Sequence, residues 1–347
     1  MTTAERIALL APLFSGSRFG FRTTDDLEAF LAWELGDAAA LDRPATAPNG
    51  RALAVAPERI YHVCAANLSV SAETSLLIGL LLGSRLDFKL PSSGLPALEE
   101  WIGRLPPVFR DAVTCLEAHD PDRMSAADAV VVFGSDETVA TLRAACHPRQ
   151  RFLAYGHKMS AGIVPPGRAI PEWTAAAARE IAAHGHTGCL APLLYLCATA
   201  GEARTFARAL AAELARMKFP EGWDDAAGRF TFLRESAARG HTVLPAGRGV
   251  VVSVPEGDSP ILPGPGTGAV QVAIDPRGHL LDPFRGQLSS LSIAEHGPLD
   301  AWTGWARRWG ASRICRMGRI QEPHLAWRHD GRPRLGDLVS WVSVEES

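Results

Sequence analysis

No C-x-x-C pair occurs in this chain, and its six cysteines, at positions 64, 115, 146, 189, 197 and 315, follow no regular spacing. A disulfide framework and a cysteine-bound zinc site are therefore not expected, and no other metal is called for; the thiols read as reduced, as they would be in a cytoplasm. Long apolar runs are missing as well. The longest, Leu76 to Leu82, falls far short of the roughly 20 residues needed to cross a bilayer. The first twenty residues carry no basic head ahead of an apolar core, so the reading is of a soluble, unexported protein with no membrane span. Nor is there an excess of one charge. The net charge is −3 and no basic stripe is present beyond a locally Arg-rich stretch from Arg313 to Arg334, which argues against nucleic acid as a partner. The G-x-G-x-x-G fingerprint is absent, so any dinucleotide site has to be argued from other residues.

What is present is an ordinary globular composition, 47% hydrophobic and 21% charged over 347 residues, enough for about two domains. An amphipathic helix is expected over Asp25 to Leu35, followed by a Pro/Ala/Gly stretch, Arg43 to Arg51, that reads as a linker or loop. From Arg59 onward short apolar strands alternate with helices. IYHVCAA (60–66), RLDFKL (85–90), VTCLEA (113–118) and AVVVF (129–133) read as strands, and the segments 71–82, 95–102 and the stretch to Ala145 as helices. Such alternation means an α/β fold with a parallel sheet covered on both faces, and in such sheets ligands sit at the carboxyl ends of the strands. Further on, a helix over Glu202 to Met217 and strands near Gly249–Val254 and Ala269–Ile274 are expected, with loops in the Pro/Gly-rich 256–268.

Several strand ends carry residues capable of chemistry: Asn67, Lys89 and Gly134-Ser135. Each has a plainer reading, as a turn residue, a solvated lysine and a helix N-cap. Gly134-Ser135 at a helix start also presents free N–H groups to an anion. Cys189 follows Gly188 in the run His184-Gly185-His186-Thr187-Gly188 and precedes an apolar stretch to Cys197. Glycine beside a reactive thiol lets a substrate carbonyl approach backbone N–H groups. The alternative is a small buried hydrophobe. His186, if protonated, could raise the thiolate fraction of Cys189, although a loop histidine is more often solvated. His329 and Asp330 are adjacent and would point apart on a strand, which speaks against a base and its orienter.

The order Asn67, Lys89, FGS (133–135), GHK (156–158) and Cys189 resembles the aldehyde dehydrogenase superfamily. Within it, VVFGSDETVATLR (131–143), YGHKMS (155–160), CLAP (189–192) and WRHDGRPRLGDLVSWV (327–342) resemble the LuxC-type acyl-CoA (fatty acyl) reductases. The likeness runs from about residue 60 to the C-terminus. It implies an aldehyde dehydrogenase-like architecture with a shortened N-terminal region. The expected parts are an N-terminal segment and Rossmann-like NAD(P)-binding domain over 1–155, a catalytic cysteine domain over 156–328, and a tail, 329–347, packing on the first domain or on a neighbouring subunit.

The resemblance also assigns roles. Cys189 would be the nucleophile that takes an acyl group from a thioester, and Asn67 would donate to the oxyanion together with the Cys189 N–H. Lys89 would bind the adenosine ribose or its 2′-phosphate, and Gly134 and Ser135 the phosphate region. His157, in the GHK triplet, would shape the backbone there. NAD-preferring relatives carry a Glu at the position of Ser92; a hydroxyl there tolerates a 2′-phosphate, so NADPH is expected, with NADH as the second choice. Hydrolytic relatives carry a general-base Glu at the position of Ala154, and its absence favours reduction of an acyl thioester to an aldehyde over oxidation to an acid. Acyl-CoA or an acyl carrier protein, an acyl-transferring partner enzyme and a homo-oligomer are the partners implied. Two rivals stay open: a cysteine acyltransferase or thioester relay with no hydride step, and a non-catalytic partner that kept the fold.

Overall fold

The structure, a computed structural model of the chain, describes residues 1–16, 20–21, 23–48, 50–66, 69–168, 171–219, 226–253 and 264–345. The chain divides into two compact units, Met1–His157 with Glu322–Ser347, and Lys158–Gln321.

The first unit opens with helix α1 (Thr3–Phe14), started by a reciprocal cap in which Thr2 receives the Glu5 N–H and Glu5 receives the Thr2 N–H. Its inward face, Ile7, Leu10, Ala11 and Phe14, enters the core. Arg6 is buried on the same helix and donates through Nε to Leu81 O at 2.7 Å, satisfying a carbonyl in the last turn of a later helix. Helix α2 (Thr24–Leu35) has the same kind of cap, from Thr23 and Asp26, and ends on Gly36 in the left-handed conformation. The stretch read as a linker is not one. It forms β1 (Ala45–Ala47) and β2 (Gly50–Val55), which pair antiparallel. The proline and glycine there mark the ends of short strands rather than a connection between domains.

The strand–helix alternation then follows: β3 (Arg59–Val63), α3 (Ser69–Leu82), β4 (Arg85–Lys89), α4 (Pro96–Arg104), the short α5 (Pro107–Arg110), β5 (Val113–Leu116), the short α6 (Pro121–Ser125), β6 (Ala129–Phe133), α7 (Asp136–Ala145) and β7 (Arg151–Tyr155). The five strands form a wholly parallel sheet in the order β5-β4-β3-β6-β7. Alternation within each strand serves two cores. Ile60, Leu86, Phe88, Ala129, Val131 and Leu153 face α1 to α4, and Tyr61, Val63, Val130 and Val132 face α6 and α7. Each such side chain taken fully out of water is worth about 1.5–3 kcal/mol. The order reverses direction between β3 and β6, so the carboxyl ends of those two strands form a topological switch point, where doubly wound sheets bind their ligands.

The second unit comprises β8 (Met159–Val164), α8 (Pro171–Ala182), β9 (Pro192–Cys197), α9 (Ala200–Leu214), α10 (Ala226–Ala238), β10 (Thr242–Ala246), β11 (Gly249–Ser253), β12 (Ala269–Ile274), β13 (Leu288–Ile293), α11 (Thr303–Trp309) and β14 (Arg313–Arg316). Its sheet runs β10-β11-β12-β9-β8-β13-β14, parallel except for the β10–β11 hairpin. Helices α8 and α9 cover one face and α11 the other. At its centre Glu180 of α8 is buried and receives hydrogen bonds from the Ser292 hydroxyl at 3.0 Å and from the Ile320 N–H at 3.3 Å. Burial pushes this carboxyl up to about 7, against those bonds. Of the loop expected over 256–268, residues 256–263 lie outside the described residues.

The chain then returns to the first unit, where β15 (Ser340–Glu345) pairs antiparallel with β2. His329 and Asp330 do not lie on a strand. They form a tight turn in which Asp330 is left-handed at φ 52°, and the His329 ring stacks on Tyr155 at 4.4 Å.

Candidate active site

Cys189 sits in a turn just ahead of β9. The turn closes through the Ala191 N–H to Gly188 O at 3.2 Å, and Gly188 takes φ +95°, open to glycine and costly for other residues. Upstream, His184, Gly185 and His186 are left-handed in succession, at φ 51°, 65° and 60°. A non-glycine residue held there costs about 1–3 kcal/mol and persists only when its surroundings over-determine it. His186 supplies that constraint. Its ring is buried, Nδ1 accepts the Gly268 N–H at 3.0 Å, and Nε2 lies 2.8 Å from Pro192 O. Acceptance at Nδ1 places the proton on Nε2, which donates to that carbonyl. Burial pushes His186 down to about 4, so it is neutral at physiological pH. This corrects the reading of a solvated loop histidine able to act as a cation: His186 pins the backbone around Cys189.

The thiols differ in environment. Cys189 is half-buried. Cys197, eight residues on, is buried on β9, and burial pushes its thiol far up. Burial likewise pushes Cys64 and Cys315 up to about 12. Thiolate chemistry is closed to those three at neutral pH. Two hydrogen bonds meet at Ser160, on β8. Its hydroxyl donates to the Cys189 carbonyl at 2.6 Å and accepts the Ser290 N–H at 3.3 Å.

In the first unit, the carboxyl edge of the sheet gathers the other candidates. Lys89 is the last residue of β4, half-buried, and its carbonyl accepts the Cys64 N–H at 3.1 Å, which ties the ends of β3 and β4 together. Ser92 is exposed in the turn that follows, closed by the Gly94 N–H to Pro91 O at 2.9 Å. Gly134 follows β6 at the switch point, and a Cβ on it would lie 3.2 Å from the Thr138 side chain, so the chain passes close to the first turn of α7. Ser135 is the N-cap of α7, its hydroxyl accepting the Thr138 N–H at 3.2 Å. Asn67 lies outside the described residues.

These residues fit a dinucleotide in placement: a glycine and a capped helix start at the switch point, with a lysine at the end of the next strand but one. One feature works against strong phosphate binding. Asp136 and Glu137 occupy the first turn of α7 and already complement its positive pole. Among the described residues no cluster of three or more His, Cys, Asp or Glu able to hold a metal occurs, and no helix is long and apolar enough to cross a membrane.

Sequence reasoning missed Ser160 and the structural role of His186. The one available signal for Ser160 is its place as the sole hydroxyl in the apolar run of β8, Met159 to Val164. For His186 there was none, because Gly268 is 82 positions away.

A doubly wound five-stranded sheet in one unit and a seven-stranded, mostly parallel sheet in the other define an aldehyde dehydrogenase fold, and solved structures bear this out. A putative aldehyde dehydrogenase PutA from Anabaena variabilis superposes with a TM-score of 0.66 at 15% identity, over 98% of this chain and 85% of that one. The Delta-pyrroline-5-carboxylate dehydrogenase from Mycobacterium tuberculosis, bound with NAD, gives 0.61 at 15% identity, over 93% and 70%. Against a bifunctional proline utilization A protein the TM-score is 0.65 at 14% identity, and this chain, covered over 99%, spans 40% of that protein's length. The model of the acyl-CoA reductase (LuxC) family matches residues 16–229, more than half of the chain. The chain belongs to that family. No curated protein matches it in sequence.

Proposed function

We propose that this protein reduces an acyl thioester to an aldehyde through a covalent thioester on Cys189. The observation that carries this reading is the placement of Cys189, half-buried in a strained turn pinned by His186, while Cys64, Cys197 and Cys315 are buried with their thiols pushed up. Membership of the acyl-CoA reductase family supports it.

In the first step the Cys189 thiolate attacks the carbonyl of acyl-CoA or acyl carrier protein. A new C–S bond forms, the carrier's C–S bond breaks, and the carrier leaves as a thiol after taking up a proton. The Cys189 N–H and Asn67 are assigned the stabilisation of the oxyanion. Lys89, Ser92, Gly134 and Ser135 are assigned the cofactor, NADPH in preference to NADH. When bound, the reduced nicotinamide supplies a hydride to the acyl carbon. Expulsion of the Cys189 thiolate from the thiohemiacetal then releases the aldehyde and restores the enzyme. With Ala154 in place of a general base, water competes poorly for the acyl group. An acyl-transferring partner enzyme and a homo-oligomeric assembly belong to the same proposal.

Incubation with an acyl-CoA and no cofactor should leave an acyl mass on the Cys189 peptide, absent in Cys189→Ala, and NADPH should discharge it as aldehyde. Release of free acid by the parent protein without cofactor would instead mark a thioesterase-like activity. A stable adduct that NADPH leaves untouched would favour the acyl-relay alternative, and no adduct with any thioester the non-catalytic one.

A further inference from the structure

We infer that Ser160 is a positioning residue for Cys189, an assignment that rests on the reading of Cys189 as nucleophile. Both neighbours of β8 slip in register beside this residue. On one side Ser160 pairs with Pro192 and Ala161 with Leu194, so Leu193 is extra. On the other, Met159 pairs with Leu288 and Ala161 with Leu291, so Ser289 and Ser290 together face Ser160. A bulge interrupts the ladder and leaves backbone groups to be satisfied some other way, and bulges gather beside active sites, where they re-aim a side chain. Here the Ser160 hydroxyl takes the place of the missing ladder bonds. It accepts the Ser290 N–H from one bulge and donates its only proton to the Cys189 carbonyl beyond the other.

The site is dry. Ser160, Ser289 and Ser290 are each 0% exposed, and the hydroxyls of Ser289 and Ser290 have no hydrogen-bond partner among the described residues. Loss of the Ser160 proton would remove that donor from the Cys189 carbonyl. Because a trans peptide is planar with its C=O and N–H opposed, fixing the Cys189 carbonyl on Ser160 also fixes the Leu190 N–H on the other side of the same plane. A donor held there, polarised by the hydrogen bond to its own carbonyl, serves negative charge on the Cys189 sulfur or on the oxygen of the acyl carbon that the sulfur attacks. Ser160 acts on the reaction through the peptide unit and touches no substrate.

The test compares the parent with Ser160→Ala, Ser160→Cys and Ser289→Ala, each followed by peptide mass mapping at Cys189. Acylation by an acyl-CoA should slow about tenfold in Ser160→Ala, the size of one hydrogen bond, with the half-saturating acyl-CoA concentration unchanged. Alkylation of Cys189 by iodoacetamide should shift its pH profile to higher pH. Ser160→Cys, close in size with a weak donor, should fall between, and carries the test if Ser160→Ala does not fold. Ser289→Ala, which removes an equally buried hydroxyl, should match the parent. Exposed Cys115 reports alkylation at a site remote in sequence, and protection of buried Cys197 and Cys315 confirms that each variant is folded. An unshifted Cys189 profile in a folded Ser160→Ala overturns the inference. If the parent takes no acyl group but the profile shifts, the reductase reading fails while the positioning role stands.

Discussion

The Asp136 carboxylate accepts the backbone N–H of His157 at 2.9 Å, so the first turn of α7 holds the turn that leaves β7. The fit is close. A Cβ on Gly156 would lie 2.5 Å from the same carboxylate oxygen, which explains why glycine stands there. The turn and the candidate phosphate site thus share one side chain, and its charge works against one of them.

Replacing Asp136 by Asn should separate the two roles. The amide oxygen still accepts the His157 N–H, while the negative charge at the start of α7 disappears. Dinucleotide binding, followed by quenching of protein fluorescence, should tighten by about threefold, the scale of a single exposed charge near a phosphate. Asp136→Ala should lose the bond as well and lower stability by about 1 kcal/mol. Weaker binding in Asp136→Asn would mean that the carboxylate itself contributes to the cofactor site.

His62 weakens the fold as the pH falls. It is 1% exposed on β3, stacked on Phe88 at 4.3 Å, and neither ring nitrogen has a partner among the described residues. Burial pushes it down to about 3. The folded protein therefore keeps His62 neutral, while the unfolded chain takes up a proton below about pH 6.5. The stability it contributes is complete above that pH and is lost as pH falls toward 3. His62→Phe, which keeps the stack, should leave stability near pH 8 little changed and raise it by ~2 kcal/mol at pH 5. Chemical denaturation at the two pH values measures this, and an equal effect at both would show that packing alone governs the site.

The alternation from Arg59 to Ala145 was legible in the sequence because each strand is an apolar run bounded by turn residues, and the main helices follow within a few positions. The Gly134-Ser135 cap was legible for the same reason, its partner Thr138 lying one turn away. Elements defined by distant partners were not. Strand β2 reads as a loop because it pairs with β15, almost three hundred residues later, and Glu180 reads as an ordinary helix carboxylate although it meets Ile320 across 140 positions. Helix α1 is a different case. Its Thr2 and Glu5 are a capping signature three residues apart, and the sequence did contain the signal.

Cofactor choice should turn on Ser92. It is exposed in the turn after β4, three residues past Lys89, at the position proposed to meet the ribose end of the dinucleotide. Ser92→Glu should raise the KM for NADPH about tenfold by repelling the 2′-phosphate and leave that for NADH nearly unchanged, since a carboxylate can bond to free ribose hydroxyls. Steady-state rates with the two cofactors measure the ratio. Equal effects on both would place the 2′-position elsewhere.

Ala154 bears on the fate of the acyl group. It is half-buried on β7, paired in register with Val132, and carries no group that could take a proton from water. Hydrolysis of a thioester on Cys189 needs such a base, whereas return of the acyl group to a thiol or its reduction does not. The acyl-enzyme should therefore persist for many turnover times without cofactor. Ala154→Glu introduces the carboxylate that the resemblance implies for hydrolytic relatives, and it should shift product from aldehyde toward free acid while shortening the life of the adduct. Acid and aldehyde quantified from one reaction give the ratio, and the adduct's decay without NADPH gives the rate. General-base assistance is worth about a hundredfold or more where the base is well placed, so even partial restoration is measurable. An unchanged adduct lifetime in a folded, acylatable Ala154→Glu would show that position 154 does not control water, and the proposed preference for reduction would lose this support.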